Sequence, residues 1–206
     1  MLLRKPSVRA VVVTQLALML FAAGICHAQP APPGPSASTD WARPLMLEKN
    51  EGELRLRRKR DVATPASISK FMLKVSPKNN GSAHLVLGTE DVPPGGLIPL
   101  HKHLEQDEIL LIQTGTAHVW LGNQERDLHA GGLVFIPSNT WVSLKNTGSE
   151  PISLVFLFSA PGFDDFLRCT SVAASETVTA ISKEERENCQ HEGHVVYAGP
   201  GATPKQ

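Results

Sequence analysis

Between Ile68 and Ser159, short apolar segments alternate with turn-forming clusters at a spacing that suits strands and little else. Ile68–Val75 alternates apolar and polar positions, Asn79-Asn80-Gly81 turns the chain, and His84–Val92 resumes the apolar pattern. Pro93-Pro94-Gly95-Gly96 is a second turn. Further strands are expected over Ile98–His103, Glu108–Thr114, Thr116–Leu121, Gln124–Leu128, Leu133–Pro137, Trp141–Asn146 and Ile152–Ser159, with Gly122-Asn123 as a two-residue hairpin loop. Short strands at this density predict an all-β sandwich or barrel. Two short helices are expected to follow, Phe163–Arg168 and Ser182–Gln190, the second opened by Ser182 with Glu185 three residues on. They should pack on the outside of the barrel or on a partner subunit.

Composition bounds the rest. With 41% hydrophobic and 19% charged residues in 206, the chain can bury a core, and its length suits one domain with tails. Twenty basic residues against twenty acidic ones argue against a nucleic-acid binder. Arg4, Lys5 and Arg9 precede an apolar run from Ala10 to Ile25, and Cys26-His27-Ala28 then places small residues at both ends of a triplet. That order is the charged region, apolar region and cleavage site of a secretory signal peptide over residues 1–28. The competing reading is an uncleaved anchor, although the run is short for a membrane span and Thr14 and Gln15 interrupt it. The expected location is therefore periplasmic or secreted, with no stable membrane insertion after cleavage. Cleavage would remove three positive charges and no negative ones, leaving a formal net charge of −3. It would also leave two cysteines, Cys169 and Cys189, which can pair in an oxidising compartment or remain separate buried thiols.

Residues 29–39 are rich in Pro, Ser and Ala, as linkers are, and 29–61 is taken as linker and N-terminal arm. The basic run Arg55, Arg57, Arg58, Lys59 and Arg60 is expected to be a solvated face or an edge strand. The barrel is then assigned to 62–160 and a helical extension and tail to 161–206. Cys189 falls in what looks like a surface tail.

The chemistry concentrates in one place. His101 and His103 stand two apart on an expected strand, so both imidazoles share a face. Glu108 opens the next strand, and a hairpin would set its carboxylate across from them. Two neutral imidazoles and a carboxylate suit a divalent transition metal: Fe, Mn, Ni, Zn or Cu. Three protein ligands would leave open positions for water, oxygen or substrate.

The spacing Gly95, His101, His103, Glu108, Gly115 resembles the first motif of the cupin superfamily at every fixed position. The second motif is matched by Gly131, Pro137 and Asn146, with Asn139 where the family usually has Gly. Asn tolerates left-handed backbone angles, so that change is mild. The resemblance covers about Ala83 to Ser159. It implies a small cupin-type β-barrel or two-sheet jelly roll, often as a homodimer. One position departs from the pattern: Val142 occupies the place of the family's fourth metal ligand, a His. His118 is a replacement to consider, although an ordinary strand role fits it better, and His129 is expected at the barrel rim. Gln106 and Asp107 are expected to face solvent, and Trp120 and Trp141 to pack in the core or an interface.

Three functions of different kind follow. The first is a metal-dependent enzyme of dioxygenase, decarboxylase, isomerase or lyase type acting on a small organic molecule. In it His101, His103 and Glu108 hold the metal, and Glu108, as the catalytic residue, would also shuttle a proton if its bond to the metal loosened. The second is a non-catalytic small-molecule-binding cupin that has lost its metal site, as Val142 suggests. The third is a structural or interaction protein. No phosphate-binding loop, dinucleotide fingerprint or Gly-x-Ser-x-Gly elbow is present.

Overall fold

The computed structural model describes residues 43–60, 70–79, 81–199 and 202. The expected signal peptide (1–28), the Pro-rich segment 29–39 and the centre of the Asn79-Asn80-Gly81 turn lie outside these residues. The elements run β1 (Glu53–Arg57), β2 (Lys59–Arg60), β3 (Lys70–Val75), β4 (Val86–Val92), β5 (Leu97–His103), β6 (Glu108–Thr114), β7 (Thr116–Leu121) and β8 (Gln124–His129). They continue with β9 (Leu133–Ile136), β10 (Val142–Asn146), β11 (Ile152–Phe158), α1 (Phe163–Cys169), β12 (Ser171–Ala173), β13 (Ala180–Ile181), α2 (Lys183–Glu192) and β14 (Val195–Tyr197).

Two larger sheets carry the architecture. One orders its strands β12-β1-β3-β4-β11-β6-β9 and the other β14-β5-β10-β7-β8, while β13 and β2 form a short parallel pair. All pairings within the two larger sheets are antiparallel. This is the predominantly β architecture with short C-terminal helices that the sequence pattern predicted, in the jelly-roll-like form that the cupin resemblance implies. The alternation of strand side chains sorts the residues. Along β11 Ile152, Leu154, Phe156 and Phe158 are buried, and along β6 Glu108, Leu110 and Ile112 are buried. Val142 and Leu144 on β10 and Phe71 and Leu73 on β3 extend the same core. Each such side chain contributes about 1.5–3 kcal/mol by leaving water.

Two turns place the ligand-bearing strands. The peptide groups of Asn146 exchange hydrogen bonds with Gly95 and Gly96, and its buried side-chain amide donates to the carbonyls of Val92 (2.9 Å) and Glu150 (2.8 Å). The motif's terminal Asn is thus a brace between β10 and the turn before β5. Asn139 takes a φ of 61°, in the left-handed region where the family usually has Gly, as its short amide side chain permits.

Strands on both sides of 62–160 enter the sheets. β1 lies between β12 and β3, so part of the basic run is paired on both sides where a solvated face or edge strand was expected. β14 pairs with β5, with Tyr197 opposite His101 and Val195 opposite His103. The region around Cys189 is not a surface tail: Cys189 is fully buried and disulfide-bonded to Cys169. Ser182 caps α2, its side chain accepting from the amide of Glu185 at 3.1 Å. At the other end of α2, a Cβ on Gly193 would come within 2.3 Å of the Cβ of Phe166, so α2 ends directly against α1. Among the described residues, no helix is long and apolar enough to cross a membrane.

Candidate metal centre

His101, His103 and Glu108 are all buried, and one donor atom from each lies within 4.8 Å of the others. They converge by a route the spacing did not reveal. β5 and β6 are not a hairpin: β5 belongs to the five-stranded sheet and β6 to the seven-stranded one, where it pairs with β9 and β11. The turn 104–107 therefore crosses between sheets, and Glu108 approaches the imidazoles from the facing layer.

The two histidines are held differently. His101 Nδ1 lies 2.7 Å from the carbonyl of Pro99. A carbonyl only accepts, so Nδ1 carries the proton and the lone pair is on Nε2. The ring stacks on Tyr197 (centroids 5.3 Å apart) and stands edge-on to His103 at 5.0 Å. Burial, followed by the neighbouring His103, holds the His101 imidazole down to a pKa of about 4, so it is neutral at pH 7. His103 packs among aromatic rings, 4.9 Å from Phe158 and 4.3 Å from Phe163 by ring centroids. Its Nε2 is 3.3 Å from Glu108 Oε2, without hydrogen-bond geometry.

Buried polar atoms without partners are rare, and each calls for an explanation. Both ring nitrogens of His103, Oε2 of Glu108 and Oε1 of Gln106 are of this kind. A divalent cation would satisfy a His103 nitrogen and Glu108 Oε2 together with His101 Nε2, and the neutral-imidazole and carboxylate donor set suits it. The residues present fit a transition metal.

The other expected positions divide clearly. Val142 is buried opposite His101 in the β5–β10 pairing and lines the same cavity, so an apolar wall stands at the fourth-ligand position. His118 lies outside the cluster, its Nδ1 2.6 Å from Asp127. His129 lies on the exposed hairpin, 3.2 Å from the Thr116 hydroxyl. Trp120 is half-buried and donates to Glu125 at 2.7 Å, and Trp141 lies beneath the Lys102 ammonium at 5.4 Å. Gln106 does not face solvent: it is 1% exposed, and its Nε2 donates to the carbonyl of Pro161 at 3.0 Å. Asp107 is half-buried and caps the turn at Ser138, its Oδ1 accepting from that amide at 2.9 Å.

Sequence reasoning missed the residues that enclose the centre. A cavity of about 80 Å³ is walled by His101, Glu108 and Val142, and also by Arg57 and Glu90, by Phe163 and Phe166 of α1, by Arg186 of α2 and by Tyr197 of β14. Arg57 lies 3.4 Å from Glu90 and over the Phe71 ring at 4.6 Å. Burial pushes the Glu90 carboxyl up, against the pull of Arg57. The advance signals were the basic run 55–60 for Arg57 and the two expected helices for Phe163, Phe166 and Arg186, and neither says what it packs against.

Comparisons with known proteins agree with this frame. Residues 88–158 match the family model described as Cupin domain. Over 79 residues the chain is 33% identical to mannose-1-phosphate guanylyltransferase 2 of Escherichia coli O157:H7, covering 37% of this chain and 16% of that protein. Over 64 residues it is 31% identical to an uncharacterised protein of Methanocaldococcus jannaschii, covering 31% of this chain and 51% of that one. The chain thus spans about half, or less, of these curated relatives. Among solved structures, the Schizosaccharomyces pombe Cnp3 cupin domain is similar at 18% identity and a TM-score of 0.41, covering 48% of this chain and 69% of that one. A predicted oxalate decarboxylase from Thermotoga maritima is similar at 22% identity and a TM-score of 0.42, covering 45% and 80%. The segment 88–158, with its metal-type cluster between two sheets, is a β-domain of the cupin superfamily.

Proposed function

We propose that this protein is an exported, metal-dependent cupin that acts on a small organic molecule, with His101, His103 and Glu108 as the metal ligands. One observation carries the reading: three buried donors converge within 4.8 Å, and two of them are left without hydrogen-bond partners. A metal bound there would supply Lewis-acid polarisation or oxygen activation at its open positions. The chain's own residues do the rest. The Pro99 carbonyl fixes the tautomer of His101, and Tyr197 fixes its ring plane. Phe158, Phe163 and Val142 exclude water from one side of the centre. Glu108 would hold the metal, and would shuttle a proton only where its bond to the metal loosens. Export is supported by the charged, apolar and small-residue order of residues 1–28 and by the Cys169–Cys189 disulfide, since such bonds persist in oxidising compartments.

The test is metal content of the untagged protein by plasma mass spectrometry. About one metal per chain is expected, and His101→Ala should remove it while the sheets still fold. Stoichiometric metal in that variant would overturn the ligand set. A second reading rests on Val142, which joins Leu110, Leu144 and Phe156 in lining the cavity with apolar surface. Absence of metal after loading with Fe(II), Mn(II), Ni(II) and Zn(II) would establish that reading: a barrel that binds an apolar ligand without metal.

A further inference from the structure

The cavity beside the metal-type cluster is lined by a guanidinium that no carboxylate among the described residues meets. Three guanidinium groups, Arg57, Arg58 and Arg186, line it, against two carboxyls, Glu90 and Glu108. Arg58 is fully engaged elsewhere: it lies 2.5 Å from Glu185 and also donates to Thr179 and to the carbonyl of Ala180. Arg57 has a single carboxylate neighbour, Glu90, at 3.4 Å. Among the described residues, no carboxylate pairs with Arg186. Its guanidinium lies 4.8 Å over the ring of Tyr197, which in turn stacks on His101. One guanidinium without a carboxylate partner, Arg186, and one with a single partner at 3.4 Å, Arg57, thus line the same cavity. Both come from outside the matched segment 88–158, one on β1 and one on α2.

We infer that this cavity binds a small organic carboxylate, its anionic group held by Arg186 and Arg57 and its remainder facing His101 and Glu108. The inference rests on the metal-centre reading above for what happens to the ligand, but not for the anion site itself. A planar guanidinium presents paired donors that match a carboxylate in two parallel hydrogen bonds. The rest of the wall is Leu97, Ile98, Leu110, Val142 and aromatic rings, which suits a short carbon skeleton. The volume of about 80 Å³ limits that skeleton to a few heavy atoms beyond the carboxylate. A phosphoryl group would match the same forks, so inorganic phosphate is the ligand the experiment must set against the carboxylates.

The experiment uses the full protein after its metal content has been measured. Calorimetric titrations compare malonate, succinate and benzoate, each with its uncharged amide, and add inorganic phosphate as a separate arm. At least one carboxylate should bind about tenfold or more tighter than its amide. Arg186→Met keeps the apolar stem over Tyr197 and removes the charge. It should bring that ratio to within about threefold while leaving metal content unchanged. A merely structural Arg186 would weaken acid and amide alike and leave the ratio intact. The inference is overturned if no carboxylate outcompetes its amide, if phosphate binds best, or if the ratio survives Arg186→Met. Metal-free protein that retains an Arg186-dependent ratio would keep the carboxylate site and remove the metal-dependent function, so the two failures are distinguishable.

Discussion

The floor of the cavity and its enclosing wall are built on different terms. The floor, with His101, Glu108 and Val142, lies inside 88–158, on the β5–β10 pair and on β6, which is laddered to β11 over nearly its whole length. The wall, with Arg57, Phe163, Phe166, Arg186 and Tyr197, comes from segments on either side of that stretch. Those segments are joined by three-residue strands, two short helices and one disulfide. The floor therefore carries the chemistry that the β-frame supplies, and the wall carries the selection that this chain adds. Disturbing the wall should change stability and ligand preference while the donor cluster stays in place.

The sharpest way to break that division is the disulfide. Cys169 ends α1 and Cys189 lies within α2, 20 positions apart along the chain. Replacing both with Ser should cost about 3 kcal/mol through the freed loop of the unfolded chain, read by urea denaturation. Metal content should persist. Loss of metal along with stability would show that floor and wall fold as one unit.

Acid tests the floor instead. His101 takes its proton near pH 4 when folded and near 6.5 when unfolded. As pH falls below about 6.5 the unfolded chain binds a proton that the folded one refuses, so stability drops until about pH 4 and no further from this group. Between pH 7 and pH 5 the metal-free protein should lose about 2 kcal/mol more than a His101→Gln variant does. Equal losses would mean that the imidazole is solvated.

The smallest effect belongs to the wall's edge. Ser182→Ala removes the cap that accepts from Glu185 and should cost about 1 kcal/mol. The carboxylate preference should survive it, because Arg186 would keep its place on α2. A lost preference would mean that the helix start, and not the guanidinium alone, sets the site.

Much of this was legible in the sequence, for physical reasons that apply to particular residues. Strand alternation put His101 and His103 on one face, and a side-chain cap marked Ser182, because both are local geometry. Two cysteines left after residue 28 were enough to suggest their pairing. Glu108 was found as a partner but by the wrong route, since residue spacing does not say whether a turn closes a hairpin or crosses between sheets. Gln106 looked solvent-facing in a polar turn. It is buried because Pro161, far along the chain, supplies its acceptor. Arg57 was lost in a basic run for the same reason: its partners, Glu90 and the Phe71 ring, are set by pairing that no local window contains.

The pairing of β14 with β5 also gives one short segment two tasks. Without β14, the strand that carries both histidines would be an edge of its sheet, with unpaired peptide groups beside His101 and His103. Tyr197, which steadies the His101 ring, lies on that same strand. Val195–Tyr197 thus closes the edge of the histidine-bearing strand and supplies the ring that steadies His101, so losing it would expose the strand and loosen the imidazole together.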